Sequence, residues 1–278
     1  MKIKDEEIKK AVRKRYARAA RSGQSCCAQP VSCCGSQSEP LSSTAPAVGY
    51  SEDELKAIPE EANLGLGCGK PTALAGLKPG EIVLDLGSGA GIDCFLAARR
   101  VGPTGRVIGV DMTPEMIDRA RANASRGGYS NVEFRLGEIE NLPVADSSVD
   151  VIISNCVINL STDKPRVFGE AFRVLRPGGR LLVSDLVLTR PLPEEISRSL
   201  EAYVACVAGA LLKYDYLSAV ETAGFKNIKI VTEKNFPAEL LVEETRVSEM
   251  SRALGISPEK LMESLSSVVS ISLRAEKP

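Results

Sequence analysis

The feature that most constrains the fold is an alternation of short apolar runs with helical patterns between residues 82 and 188. The apolar runs predict strands at residues 82–86, 106–111, 132–136, 149–154 and 180–188. Helical patterns separate most of them, at residues 92–100, 113–126 and 165–175. Such spacings are too long for hairpins and require crossover connections. We therefore expect a doubly wound α/β fold with a mostly parallel sheet.

The flanking segments differ in character and complete the predicted organisation. Residues 4–21 carry apolar residues at helical spacing among basic ones, which predicts a surface helix. Residues 22–48 are rich in Gly, Ser, Pro and Gln and predict a mobile segment with four cysteines. Beyond residue 188, a helical stretch over 194–223 and strands at 227–232 and 268–274 would bring the sheet to seven strands. We expect three parts: a basic helix and Cys-rich extension (1–49), the α/β domain (50–235) and a smaller C-terminal region whose role the sequence does not indicate (236–278).

Composition and charge exclude several classes of function. The chain has 35 Lys and Arg against 36 Asp and Glu, so its net charge of −1 gives no field for gathering nucleic acid or coating an anionic membrane. It has no His, which removes imidazole bases and His-containing zinc sites. No apolar run approaches the ~20 residues of a membrane span. We expect a cytoplasmic protein whose eight cysteines are mainly thiols.

A glycine-rich turn after the first strand predicts a nucleoside site. The sequence D-L-G-S-G-A-G at residues 85–91 leads from strand to helix, and glycine there lets a ligand approach main-chain N–H groups. Asp111 ends the second strand about 20 residues further on, where a carboxylate can accept the ribose hydroxyls. Asp85 would repel a pyrophosphate but suits a cationic ligand. S-Adenosylmethionine, with its ammonium and sulfonium groups, fits this pattern better than a dinucleotide.

The segment after the third strand is where an adenine would lie. Either acid in G-E-I-E-N-L-P, residues 137–143, can accept from the adenine amino group, and Ile139 can pack on its face. These features resemble the class I S-adenosylmethionine-dependent methyltransferases, which have a Rossmann-like sheet with its last strand antiparallel. The predicted donor-binding residues are Asp85, Gly87, Ser88, Gly89, Gly91, Asp111, Met112, Glu138, Ile139 and Asn155.

Three separated cysteines raise the question of the methyl acceptor. Cys156 follows the fourth strand, at the sheet edge where the methyl group should point. Cys68 lies in a glycine-flanked turn, and Cys206 lies in an apolar stretch predicted to be helical. Each can be a small buried residue, and Cys94 on the first helix of the sheet domain is expected to be only that. Together, three thiols favour a soft, thiophilic centre.

The cysteine-bearing motifs resemble those of the arsenite S-adenosylmethionine methyltransferases. They are N-L-G-L-G-C-G at residues 63–69 and S-N-C-V-I-N-L at residues 154–160, with the turn at 85–91 between them. The resemblance implies that Cys156 and Cys206 bind trivalent arsenic and that Cys68 takes part in binding and redox turnover. Arsenic(III) keeps a lone pair when thiolates hold it, so attack on a methyl group needs no general base. The lack of His is consistent with this chemistry.

The sequence leaves open the roles of the remaining cysteines and two alternative functions. Cys26, Cys27, Cys33 and Cys34 form two adjacent pairs, and we expect Cys33 and Cys34 to serve redox turnover or arsenic delivery. The expected partners are arsenite, methylated arsenicals and a reductant such as glutathione or thioredoxin, with neither nucleic acid nor membrane. A methyltransferase for a quinone or sterol, or a thiol-based arsenic-binding protein without turnover, would share the fold.

Overall fold

A computed structural model describes residues 4–22, 50–65, 69–236 and 244–278 of the chain. Cys26, Cys27, Cys33, Cys34 and Cys68 lie outside these residues, as does the segment predicted to be mobile apart from its first residue. The strands in the described part are β1 (Ile82–Leu86), β2 (Arg106–Asp111), β3 (Val132–Leu136), β4 (Val149–Asn155), β5 (Leu175–Leu188), β6 (Lys226–Asn235) and β7 (Val268–Glu276).

Helices of varied length connect these strands and precede them. The α-helices in the described ranges are α1 (Asp5–Ser22), α2 (Glu52–Lys56), α3 (Pro71–Leu74), α4 (Ile92–Val101), α5 (Pro114–Arg126), α6 (Lys164–Val174), α7 (Glu194–Ser197), α8 (Leu200–Val204), α9 (Lys213–Thr222), α10 (Glu244–Leu254) and α11 (Pro258–Leu265). Short 3₁₀ turns occur at Glu60–Ala62 and Ile158–Leu160. None of the helices just named has the length and apolarity needed to cross a lipid bilayer.

The strands form one mixed sheet in the order β3-β2-β1-β4-β5-β7-β6. β1 to β5 pair in parallel, whereas β7 is antiparallel to both of its neighbours. The predicted doubly wound, mostly parallel sheet of seven strands is confirmed. β5 begins before residue 180 because Leu175 already pairs with Val149, ahead of a register shift. The predicted division of the chain at residues 49 and 235 stays a prediction, although β7 comes from beyond residue 235 and lies inside the sheet.

Alternating strand residues build an apolar core on each face of the sheet. Leu84 on β1 belongs to a cluster with Phe168 of α6 and Tyr216 of α9. Its neighbour Val83 belongs to the opposite cluster, which contains Phe95 of α4 and Ile117 of α5. This alternation follows from the two-residue period of a strand. Because helices cover both faces, ligand space is left at the carboxyl ends of the parallel strands.

One helical prediction is wrong at a residue of interest. The stretch 194–223 is not one helix but three, α7, α8 and α9, and Cys206 lies beyond the end of α8. The Cys206 N–H donates to the Tyr203 carbonyl at 2.9 Å, and the Val207 N–H donates to the Ala202 carbonyl at 3.0 Å. This bonding pattern is a Schellman turn, which ends a helix with a left-handed residue. Cys206 is that residue, with φ +65°.

Helix α1 docks by its apolar face and leaves its charged face exposed, as its sequence predicts. Its apolar face is buried, with Ile8, Val12, Ala19 and Ala20 each less than a tenth exposed. The helix contacts α5 on one side and α8 on the other. It therefore lies across the edge of the sheet at which the parallel strands end.

Candidate active site

A cleft opens at the carboxyl ends of β1, β2 and β4. The structure brings eight of the ten predicted donor-binding residues into its lining: Asp85, Gly87, Ser88, Gly89, Asp111, Met112, Ile139 and Asn155. Cys156 belongs to the same lining.

The glycine turn and Asp111 are built as one unit. The N–H groups of Gly87 and Ser88 donate to the Val110 carbonyl at 2.8 and 3.0 Å. The Asp111 carboxylate accepts the Gly89 N–H at 3.0 Å and the Thr113 N–H at 2.8 Å. Gly87 has φ +69°, and a Cβ there would lie 2.3 Å from a Val157 methyl carbon. Position 87 therefore needs glycine both for its left-handed conformation and because Val157, in the loop after β4, lies so close to it.

Three buried carboxylates in the cleft lining form no close ion pair within the part of the chain that the structure describes. Burial raises the pKa of Asp85 well above its usual range, that of Asp93 to about 6 and that of Asp111 less markedly. None of the three has an ion-pair partner within 4 Å among the residues that the structure describes. The Ser88 hydroxyl is also buried there, with no hydrogen-bond partner in the described ranges. A cationic ligand with hydrogen-bonding groups would satisfy both the charge and this hydroxyl.

Asp93 is a site residue that the sequence reasoning missed. Its carboxylate accepts from the Tyr50 hydroxyl at 3.0 Å, and the Asn155 amide nitrogen lies 3.2 Å away. That amide also donates to the Gly69 carbonyl at 2.8 Å. Asn155 thus ties the end of β4 to the turn whose motif contains Cys68. The sequence did contain a signal for Asp93: it is an acid two residues after the glycine turn, in G-I-D, and therefore lies near the predicted nucleoside site.

Cys94 has a role beyond filling space. It is fully buried on α4, as predicted, and its thiol donates to the Asp85 carboxylate at 3.2 Å. The bond fixes the orientation of Asp85 toward the cleft.

Two predicted donor-binding residues lie outside the lining. Gly91 has φ +101°, and a Cβ there would be 2.7 Å from the Phe95 ring, so its lack of a side chain serves packing at the start of α4. Glu138 has one carboxylate oxygen 2.6 Å from Lys9 Nζ and the other 2.8 Å from Arg13 Nη2. Glu140, the alternative acid of the same segment, is buried in the lining and accepts from the Ser161 hydroxyl at 2.8 Å.

Helix α1 contributes wall residues that the sequence reasoning did not place in the site. Lys9, Val12 and Tyr16 line the cleft opposite the glycine turn. They lie on one face of the helix, at the spacing of about one turn. That apolar face was visible in the sequence, but its docking partner was not.

The two predicted arsenic ligands within the described residues are neighbours. Cys206 Sγ lies 3.5 Å from the Cys156 backbone carbonyl oxygen, although the residues are 50 positions apart. Both have left-handed backbones, with φ +55° at Cys156 and +65° at Cys206. Cys156 is disulfide-bonded, whereas Cys206 and Cys94 are thiols. Strained conformations of this kind are held at functional sites by the surrounding structure.

The loop after β4 is fastened to the turn that carries Cys206. The buried Lys164 ammonium donates to the Ser161 carbonyl at 2.8 Å, and the Tyr203 hydroxyl donates to the same oxygen at 2.9 Å. Burial lowers the pKa of Lys164 to about 8. Burial likewise raises the pKa of Asp185, on β5 near this loop, to about 7.

A three-ligand centre is not assembled by the described residues alone. Among them, no group of three or more Cys, Asp or Glu side chains is arranged to hold a metal ion. The third predicted ligand, Cys68, lies outside the ranges described.

Residues 77–233 match the family model described as a methyltransferase domain. The chain is 52% identical over 232 residues to an arsenite methyltransferase of Halobacterium salinarum, covering 81% of this chain and 59% of that protein. It is 44% identical over 185 residues to an arsenite methyltransferase of Aquipseudomonas alcaligenes, covering 63% of this chain and 52% of that protein. The chain thus spans about half to three fifths of the length of these curated relatives.

A solved structure matches the fold over most of the chain. It is an arsenic(III) S-adenosylmethionine methyltransferase from Chlamydomonas reinhardtii, with a TM-score of 0.63 and 33% sequence identity. The match covers 86% of this chain and 74% of that one.

Proposed function

Since the chain belongs to the methyltransferase domain family, and within it to the arsenite S-adenosylmethionine methyltransferases, we propose that it methylates trivalent arsenic. The observation that carries the proposal is the position of Cys206 Sγ, 3.5 Å from the carbonyl of Cys156, which lines the donor cleft. Two distant cysteines thereby meet where a methyl donor would be presented.

The cleft residues fit S-adenosylmethionine. In this proposal Asp111 would accept the ribose hydroxyls, and Asp85 and Asp93 would bind the cationic end of the donor. Ile139 would pack against the adenine, and Glu140 would accept its amino group. When bound, the donor supplies an electrophilic methyl group on a sulfonium. The three carboxylates bind and orient it, and they ionise more readily once a positive charge is present.

Arsenite is the substrate that the thiols bind. Each As–S bond forms as a thiolate displaces an arsenic hydroxyl, which leaves as water with the thiol proton. Cys156 must be in its thiol form for this step, so its disulfide is reduced first. The site would then hold arsenic and methyl carbon at about 3–3.5 Å, so that the arsenic lone pair forms the As–C bond as the methyl–sulfur bond of the sulfonium breaks and S-adenosylhomocysteine leaves with that electron pair. We assign Cys68 as the third ligand.

The redox partners follow from the electron balance. Methylation makes the arsenic formally pentavalent, and two thiols return it to the trivalent state by forming a disulfide and releasing two protons. We propose Cys33 and Cys34 for this exchange or for arsenic delivery, with glutathione or thioredoxin reducing the disulfide. A reducing, cytoplasmic compartment suits this cycle, and the role in the cell would be arsenic detoxification.

Transfer of a labelled methyl group tests the proposal directly. Reduced protein, arsenite and methyl-labelled S-adenosylmethionine should yield labelled methylarsenicals, identified by chromatography and mass spectrometry. Cys156→Ser and Cys206→Ser should each abolish this product, because each removes one As–S bond. Ser218→Ala, at an exposed position on α9 away from the cleft, serves as the control and should leave product formation unchanged.

Two results would contradict the proposal in different ways. If arsenite binds but no labelled arsenical forms, the protein binds arsenic without turnover. If Cys156→Ser still transfers methyl groups to a quinone or sterol acceptor at the wild-type rate, the cysteines are bystanders.

A further inference from the structure

We propose that α1 completes the donor site as its outer wall and is held there by ion pairs from Lys9 and Arg13 to Glu138 and Glu140. This inference rests on the proposed function, because it concerns the retention of the same methyl donor. It assigns Lys9, Val12 and Tyr16 as donor-site residues and assigns Glu138 to fastening the helix rather than to binding adenine.

The position of α1 supports its role as a wall. Lys9, Val12 and Tyr16 line the cleft together with the glycine turn and Asp111. Val12 also shares an apolar cluster with Cys206, and Cys156 packs against that cluster. The helix therefore covers both the donor cleft and the cysteine pair. A wall in this position excludes water from the reacting groups.

The ion pairs lie at the adenine end of the cleft. Lys9 Nζ is 2.6 Å from one Glu138 oxygen and 3.4 Å from Glu140, while Arg13 is 2.8 Å from the other Glu138 oxygen. Glu140 is only 10% exposed and Lys9 23%, so these charges are less screened than a surface pair. The hydrogen bond from Lys9 lowers the pKa of Glu138, which keeps the carboxylate ionised at neutral pH.

The carboxyl-terminal end of α1 is fixed independently. Ala19 and Ala20 are buried against Ala90 and Met116. The Arg119 side chain of α5 donates to the Ala20 carbonyl at 2.7 Å. This apolar attachment does not depend on the Glu138 pairs. In the half of α1 that carries Lys9 and Arg13, the ion pairs to Glu138 and Glu140 act together with the buried side chains of Ile8 and Val12.

Both acids that fasten α1 flank Ile139, the predicted adenine contact. Donor binding and helix docking therefore act on the same short segment, residues 138–140. A bound adenine orders this segment and favours the ion pairs, and the ion pairs in turn favour the bound donor. Such coupling is reciprocal.

The test measures binding of S-adenosylhomocysteine, the demethylated donor, to the full-length protein by calorimetry without arsenite. Lys9→Met combined with Arg13→Met should raise its Kd by about 3- to 10-fold at low salt. Glu138→Gln should have a similar effect, and combining it with Lys9→Met should add little to either change alone. The difference from wild type should shrink as NaCl rises from 50 to 500 mM.

Lys14→Met is the matched control, since Lys14 lies on the same helix at an exposed position outside the cleft. Its Kd should equal that of the wild type. Hydrogen exchange supplies a second readout: the amides of residues 5–22 should exchange more slowly in wild type once S-adenosylhomocysteine is bound, and this protection should be lost in the Lys9 and Arg13 double variant.

The outcomes separate this inference from the proposed function. The assignment of α1 is wrong if the double variant and Lys14→Met bind S-adenosylhomocysteine with equal affinity and if hydrogen exchange in α1 is the same with and without the ligand. The proposed donor site is not contradicted by that result. If the wild type does not bind S-adenosylhomocysteine at all, both the proposed donor site and the assignment of α1 are wrong. A thermal unfolding curve on each variant checks that a weaker affinity is not a loss of folded protein.

Discussion

Cys206 occupies a backbone position that glycine fills at lower cost. Its φ of +65° places it at the left-handed residue that ends α8. Replacing it with Gly or with Ala removes the same thiol, so the difference between the two variants isolates the backbone. We expect Cys206→Gly to be more stable to urea than Cys206→Ala by about 1 kcal/mol. Both should lose arsenite binding.

The same comparison would have the opposite sign in a helix. Within a helix interior, Ala is favoured over Gly by roughly 1 kcal/mol. If Cys206→Ala were the more stable variant, residue 206 would lie within a helix, as the sequence predicts. Asn227, which also has a left-handed backbone with φ +53°, offers Asn227→Gly and Asn227→Ala as a reference pair away from the site.

Asp185 makes stability depend on pH. Burial raises its folded pKa to about 7, against about 3.9 in an unfolded chain. The folded protein thus binds the proton more tightly, so this group's contribution to stability is present below pH 4 and is lost as pH rises through 7. Asp185→Asn keeps one oxygen to accept the Leu186 N–H, its amide nitrogen can donate to the Tyr216 hydroxyl oxygen instead, and the substitution removes the titration.

We expect the wild type to lose stability relative to Asp185→Asn as pH rises from 5 to 6.5. The relative loss should approach ~1.4 kcal/mol per pH unit, as an order of magnitude. Urea unfolding of both proteins at the two pH values measures it. A stability difference that is the same at both pH values would show that Asp185 is ionised throughout.

At the scale of elements, α8 and the loop after β4 are joined through one carbonyl. The Tyr203 hydroxyl donates to the Ser161 oxygen at 2.9 Å, close to the turn that carries Cys206. Tyr203→Phe removes this bond without changing the ring, and we expect arsenite affinity to fall about 3-fold, in line with ~0.5–1 kcal/mol for one hydrogen bond. Donor affinity should change much less.

Arsenite titration of the reduced protein checks this prediction, with S-adenosylhomocysteine binding measured beside it. Tyr214→Phe is the control because Tyr214 is 80% exposed. Equal arsenite affinity in Tyr203→Phe and Tyr214→Phe would mean that the Ser161 bond does not set the position of Cys206.

Strands were predicted well because each is a short apolar run bounded by turn residues. β1, β2 and β3 have the predicted bounds, the glycine turn follows β1 directly and Asp111 is the last residue of β2. The conformation of Cys206 was not predictable in this way, since an apolar stretch with Ala on both sides favours a helix and only tertiary contacts stop it. Likewise, the apolar face of α1 shows that the helix docks, but spacing alone does not show where.

At the scale of the whole molecule, sheet topology decides what the site can contain. Parallel strands β1, β2 and β4 present their carboxyl ends to one edge, which brings the predicted donor residues between 85 and 155 to the cleft. The residues proposed for the wall and the acceptor come from other segments: α1, the loop after β4 and the turn after α8. Sequence order therefore predicted which residues of 85–155 line the cleft more completely than it predicted the contribution of α1, which depends on packing between remote elements.

The C-terminal strand is integral to this architecture. β7 lies between β5 and β6 and pairs with both, so its removal would leave β6 with no neighbour in the sheet. Its buried apolar side chains are Val268, Val269, Ile271, Leu273 and Ala275. Burying apolar side chains of this kind contributes about 1.5–3 kcal/mol each for the larger ones, which together approach the total stability of a typical domain.

A chain that ends at Ser267 should therefore fail to unfold cooperatively in urea and should not bind S-adenosylhomocysteine, although every cleft residue remains in its sequence. A chain lacking only Pro278 should match the wild type in both measurements, because it keeps β7 and the Lys277 bonds to the Phe172 and Leu175 carbonyls. Cooperative unfolding of the shorter chain at the wild-type midpoint would mean that residues 4–267 form the core without β7. Loss of cooperativity would instead make β7 a condition for the donor site, since the strands that position the cleft are folded together with it.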